Sequence, residues 1–183
     1  VNEFCNYPKK FDLLIYDRIF PSPNCSFAIC EFNSYLDSFD SSRVFTSGID
    51  FPKDKSFTDL LNDYEKLYPK FVNRIEKINA KSKVFAKVYY TLFLGNAYLL
   101  LPLVEANKGS LIFTLYSGGE FCLNDYRSDQ MLKEIFASPA FTKVIVVQKT
   151  IYDYLLENDM VSSDKIEFIY GPICNTEYLI NNK

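Results

Sequence analysis

Short apolar runs alternate with stretches of helical periodicity along this chain, and that alternation constrains the fold more than any other feature. Phe11–Tyr16 (FDLLIY) has no polar face, the pattern of a strand buried on both sides of a parallel sheet. The same reading predicts strands at Arg43–Thr46, Val84–Phe93, Leu111–Tyr116 (LIFTLY), Lys143–Val147 and Lys165–Tyr170 (KIEFIY). Helices are predicted over Cys25–Phe39, Ser56–Tyr68, Ala97–Asn107, Arg127–Ala137 and Lys149–Asn158. In the first helix Phe27, Cys30, Tyr35, Leu36 and Phe39 share one face. Ser56 with Asp59 is a capping-box signature. Asp17–Asn24 reads as a loop broken by Pro21 and Pro23, Ser47–Lys55 as another, and Gly95-Asn96 as a break after the third strand. Val72–Lys81 reads as a short strand or a turn. Strands alternating with helices require right-handed crossovers, hence a doubly wound α/β domain with a mainly parallel sheet and helices on both faces. The 183 residues suit one such domain over 1–183, with 173–183 a tail or the start of a linker to a second domain outside this sequence.

Histidine is absent. A His general base, Ser-His-Asp or Cys-His catalysis and His-ligated metals are thereby excluded within this chain. Acid–base work falls to carboxylates, Tyr, Lys or Cys, or to another polypeptide. Cys5, Cys25, Cys30, Cys122 and Cys174 are scattered without a CxxC, which fits reduced cytoplasmic thiols and no metal site. The net charge is −3, and the Lys66–Lys87 stretch is diluted by Glu76. Nucleic acid is therefore not expected as a partner. Lys81, Lys83 and Lys87 allow a peripheral contact with anionic headgroups at the inner membrane face, or simply form a solvated face. The apolar run Ala97–Val104 is interrupted by Pro102 and is too short to span a bilayer. No secretory h-region opens the sequence, and a start at Val1 without Met suggests a processed or trimmed chain.

In open parallel sheets ligands bind beyond the carboxyl ends of the strands. The candidate segments are thus Asp17–Asn24, Ser47–Ile49, Leu94–Asn96, Tyr116–Phe121 and Gln148. Ser117, Gly118, Gly119 and Glu120 form either a loop whose backbone N–H groups approach an anionic or sugar ligand, or a plain strand-to-helix turn. Asp17 is either a base and acceptor for sugar hydroxyls, or a cap or surface partner of Arg18. Glu31 reads as an exposed helix charge, with a site role as the alternative. Glu120 and Asp125 are carboxylate bases or helix N-terminal charges. No GxGxxG or GxxxxGK[ST] occurs, so neither a dinucleotide nor a P-loop site has direct support.

The succession of Leu94-Gly95-Asn96-Ala97, LIFTLYSGGEF, TKVIVVQKTIYDYLL and KIEFIYGPI resembles the N-terminal domain of two-domain glycosyltransferases of the GT-B type, over about residues 11–173. Gly171-Pro172-Ile173 stands where relatives often carry an Asn-Gly turn. The resemblance implies a Rossmann-like domain that binds the sugar or glycan acceptor. A second domain would hold the nucleotide-sugar donor, with catalysis in the cleft between them and no cofactor in this chain. It further implies that Asp17 and Glu120 contact acceptor hydroxyls. Phe20 and Tyr116 would offer stacking surfaces, with Asn24, Asn96, Ser117, Gly118 and Gly119 completing the binding set. This chain departs from the pattern twice. Its loop Phe20–Asn24 lacks the glycines many relatives have there, and Tyr116 and Ser117 stand where many place a His. A non-catalytic α/β module that binds a ligand or partner is the alternative reading.

Overall fold

The computed structural model describes residues 9–22, 26–49, 55–78 and 84–170. In chain order these form β1 (Lys9–Ile19), α1 (Ser26–Ser38), β2 (Ser42–Ile49), α2 (Phe57–Leu67), β3 (Ile75–Lys77), β4 (Val84–Leu92), α3 (Leu94–Ala106), β5 (Ser110–Leu115), α4 (Tyr126–Ala137), β6 (Phe141–Val146), α5 (Lys149–Glu157) and β7 (Ile166–Phe168). Short 3-10 turns, Val72–Arg74 and Ser163–Lys165, lead into β3 and β7. The strands make one seven-stranded sheet in the order β3-β2-β1-β4-β5-β6-β7, parallel throughout. The doubly wound architecture expected from the sequence is the one found.

Two cores explain why the strands carry no polar face. Leu13 and Ile15 of β1 pack with Val44, Tyr90 and Leu92 against Phe32, Leu36 and Tyr64 of α1 and α2. The alternate residues Leu14 and Tyr16 join Tyr89, Leu111 and Phe113 beneath α3, α4 and α5. Burying each such side chain contributes roughly 1.5–3 kcal/mol. Helix α2 starts as expected, with Ser56 and Asp59 closing a reciprocal capping box.

Several boundaries differ from the sequence expectations, each for a non-local reason. β1 extends from Lys9 to Ile19, so Asp17 and Arg18 lie in a strand and not in a loop. Its ends pair with Val84 of β4 and Thr46 of β2. β2 likewise runs on to Ile49, taking in Ser47–Ile49, because Ile49 aligns with Ile19. α3 begins at Leu94, so Gly95-Asn96 opens a helix instead of breaking the chain. Leu94, Ala97, Leu100, Leu101 and Val104 hold α3 in the core, and it runs through Pro102. Phe39 lies past the end of α1 and is 47% exposed, not inward. Lys81, Lys83 and Gly171–Ile173 lie outside the described residues, and Lys87 is held by Asp12 at 2.7 Å.

The order of strands also locates the crevice. From β1 the chain winds through β2 to β3 at one edge. It returns to β4 beside β1 and winds through β5 and β6 to β7 at the other. Adjacent connections leave β1 and β4 toward opposite faces, which opens a crevice at their carboxyl ends.

Candidate functional site

The crevice is built on a bent strand end. The register of β1 with β2 slips between Asp17 and Ile19, and a bulge of this kind re-aims the side chains beside it. Thr91 Oγ1 donates to the Tyr16 carbonyl at 2.6 Å and Thr46 Oγ1 to the Arg18 carbonyl at 3.2 Å, fixing the bend. Asp17 is 6% exposed there. Its Oδ1 accepts from the Ile19 backbone N–H and from Asn96 Nδ2, both at 3.1 Å. Both of these bonds fall on Oδ1, and the Arg18 backbone N–H lies close enough to the carboxyl to favour its ionised form as well. Burial raises the carboxyl from 3.8 to about 6, against the smaller opposing effect of the bonds from Ile19 and Asn96.

Asn96 sits buried in the first turn of α3. Its Oδ1 accepts from Arg18 Nε at 2.7 Å, which turns Nδ2 toward Asp17. Arg18 Nη1 reaches Glu120 Oε1 at 3.1 Å. A continuous polar chain, Glu120–Arg18–Asn96–Asp17, therefore joins β1, α3 and the loop after β5.

That loop is tightly folded. Gly118 and Phe121 exchange backbone hydrogen bonds at 3.1 and 3.0 Å, and the Gly95 N–H donates to the Gly119 carbonyl at 3.0 Å. Gly118 and Gly119 have φ of +88° and +54°, a region that favours glycine. A Cβ at Gly119 would lie 2.5 Å from Phe93, whereas one at Gly118 would meet nothing within 4 Å. Gly119→Ala is expected to cost about 2–4 kcal/mol and Gly118→Ala only about 1 kcal/mol. Urea denaturation would read the difference, and equal midpoint shifts would contradict this packing.

A second buried carboxylate lies on the α1 side of the sheet. Glu31 is 4% exposed, which corrects its reading as an exposed helix charge. Tyr90 donates to its Oε1, as does Tyr35 at 3.3 Å, and Tyr116 reaches Oε2 at 3.5 Å. Tyr90 also contacts Thr114 Oγ1 at 2.5 Å. With the Tyr90 proton committed to Glu31, the Thr114 hydroxyl is the donor in that pair. Burial pushes the Glu31 carboxyl up, and the three phenols counteract it in part.

Asp17, Asn96, Gly118, Gly119 and Glu120 thus converge. Ser117 stands at the same loop, its Oγ donating to Gln148 Oε1 at 2.7 Å. Tyr116 is half-buried, its ring 5.5 Å from that of Phe93. Phe20 is not a stacking surface: it is fully buried, its ring edge-on to Phe57 and Tyr64 of α2 within the α1–α2 core. Asn24 lies outside the described residues. Asp125 is the N-cap of α4, accepting from the Ser128 N–H at 2.9 Å. The sequence reading missed Arg18 and Tyr90 as site residues. An Arg directly after a strand-ending Asp was the one available signal, and Tyr90 gave none.

An apolar groove of about 420 Å³ also runs between α1 and the sheet, lined by Leu13, Tyr35, Phe39, Val88, Ile112 and Ile145. A second, of about 530 Å³, lies between α1 and the Tyr68–Phe71 segment. Neither has a lining residue in common with the Asp17–Glu120 chain. The first also borders Asp12, Lys87 and Tyr90, whereas the polar chain lies at the carboxyl ends of the strands, so the crevice is the stronger candidate for chemistry. Among the described residues no helix is long and apolar enough to cross a membrane. No protein-family model matches the sequence, and no curated protein matches it.

Proposed function

We propose that this chain is the acceptor-binding half of a glycosyltransferase, which moves a sugar from a nucleotide-sugar donor to a hydroxyl of a glycan or other acceptor. Asp17 is the observation that carries this reading. It is a buried carboxylate at the strand-order reversal, raised to about 6, whose bonds from Ile19 and Asn96 both fall on Oδ1. A base is most effective when its pKa lies near the working pH. Asp17 accepts the proton of the acceptor hydroxyl as that oxygen attacks the anomeric carbon. The bond from this carbon to the nucleotide diphosphate breaks, and the diphosphate leaves with the electron pair. Ile19 and Asn96 hold Oδ1, so Oδ2 is the atom turned to the hydroxyl. The open space beside Gly118 leaves room for the rest of the same sugar. The nucleotide is held by a second α/β domain, in keeping with the absence of a phosphate-loop motif here.

Calorimetry against a panel of nucleotide diphosphate sugars tests this division of labour. The expected result is no donor binding by this chain alone, and binding by the same chain extended through its native reading frame. Tight donor binding by the 183-residue chain would overturn it. Binding by neither would favour a non-catalytic module.

A further inference from the structure

We propose that Arg18 is an oxyanion-binding group in the crevice, and that the molecule bound there carries a phosphate or carboxylate that displaces Glu120 from it. This rests on the acceptor reading above and narrows its substrate class to acidic sugars.

The arrangement is one of an oxyanion already seated. Arg18 spends Nε on Asn96 at 2.7 Å and Nη1 on Glu120 at 3.1 Å. A guanidinium has further N–H donors in the same plane, and Nη2 has no partner among the described residues. The carboxylate of Glu120 rests directly on the backbone at Gly95. A Cβ there would lie 2.6 Å from the Glu120 Cδ and 2.7 and 2.9 Å from its two oxygens. Glycine at position 95 lets the carboxylate lie in this place beside the Arg18 fork, where a Cβ would push the flexible Glu120 end aside. Glu120 reaches this place with φ of 74°, a conformation side-chain-bearing residues rarely adopt.

The exchange of anions is inexpensive. The Arg18 and Glu120 side chains are 29% and 37% exposed, so their pair belongs to the class of ion pairs that contribute little. Glu120 can turn into water while a ligand oxyanion takes its place, and the bidentate fork then has both Nη atoms to offer. The space around Gly118 is open on the same loop. Asn96 stands between Arg18 and Asp17 in the hydrogen-bonded chain. An acidic group would thus sit on the Glu120 side and the reacting hydroxyl on the Asp17 side, as two substituents of one sugar.

The test is calorimetry at low salt on this chain, with inorganic phosphate, glucose 6-phosphate, glucuronate and glucose as probes. Glu120→Gln removes the internal competitor and is expected to tighten the acidic probes about two- to fivefold. Arg18→Gln is expected to weaken them roughly tenfold or more, with Arg18→Lys in between. Glucose should not respond to Glu120→Gln. A larger response of glucose 6-phosphate identifies a phosphate, and of glucuronate a carboxylate. Acidic probes that bind no better than glucose, or that ignore Glu120→Gln, overturn the proposal. Should Arg18→Gln fail to fold, Glu120→Gln still decides it: no gain by the acidic probes overturns the proposal. The acceptor reading fails separately: inorganic phosphate would follow the variants as predicted, while an attached sugar added no affinity.

Discussion

On the proposed acceptor-half reading, Asp17→Asn, in the chain extended through its native reading frame, is expected to lower sugar transfer by about 10²–10⁴-fold, the usual worth of a positioned base. The amide is isosteric, and its oxygen can still accept from the Ile19 N–H and from Asn96 Nδ2. The fold is therefore retained while the proton acceptor is lost. The pH dependence gives a second readout. With the carboxyl at about 6, kcat/KM of the unmodified protein should fall as pH drops through that value, because only the ionised form takes the proton. Stability moves in the opposite sense. A carboxyl raised on folding binds its proton more tightly in the native state, so stability falls as pH climbs from 3.8 to about 6. Asp17→Asn should flatten that part of the curve and melt no lower than the unmodified protein at pH 7. Transfer surviving within about tenfold would remove Asp17 from the role of base.

The sheet was legible in the sequence because burial on both faces leaves a local mark. LIFTLY and FDLLIY announce parallel strands through their own side chains, and the Ser56–Asp59 cap announces a helix start. Ends set by partners left no such mark. Asp17 belongs to β1 because Thr46 stands opposite it, and Gly95 opens α3 because the β5 loop docks on that turn. Topology alone was enough to assemble Asp17, Asn96 and the Gly118–Glu120 loop, since all lie at or just after the carboxyl ends of strands. What it could not supply was direction. Phe20 follows the same strand as Asp17, yet its ring turns into the α1–α2 core. Glu31 lies on a helix whose charges are ordinarily solvated, and only Tyr90 and Tyr116, 59 and 85 residues away, make it an interior group.

Tyr90→Phe should lower stability by an amount that depends on pH. The phenol is almost fully buried, and burial beside Glu31 holds it well above its ordinary value, so it remains a donor. Removing it strips the buried carboxylate of its principal hydrogen bond. The loss should be about 1.5–3 kcal/mol at pH 7, the range for a bond to a charged group. Glu31 is already raised by burial, and the Tyr90 bond works against that rise. Its loss pushes the carboxyl further up. Native Glu31 then holds its proton to higher pH, and stability declines more steeply as pH rises above 4.5, the ordinary value of the carboxyl. Near pH 4, where the carboxyl is protonated, the substitution should cost only about 1 kcal/mol. In a Glu31→Gln background the pH dependence should vanish and the two changes should couple by about 1–2 kcal/mol. Urea unfolding of the four variants at both pH values measures this. An equal loss at the two pH values would mean that Tyr90 acts through packing alone, and that Glu31 is supported instead by Tyr35 and Tyr116.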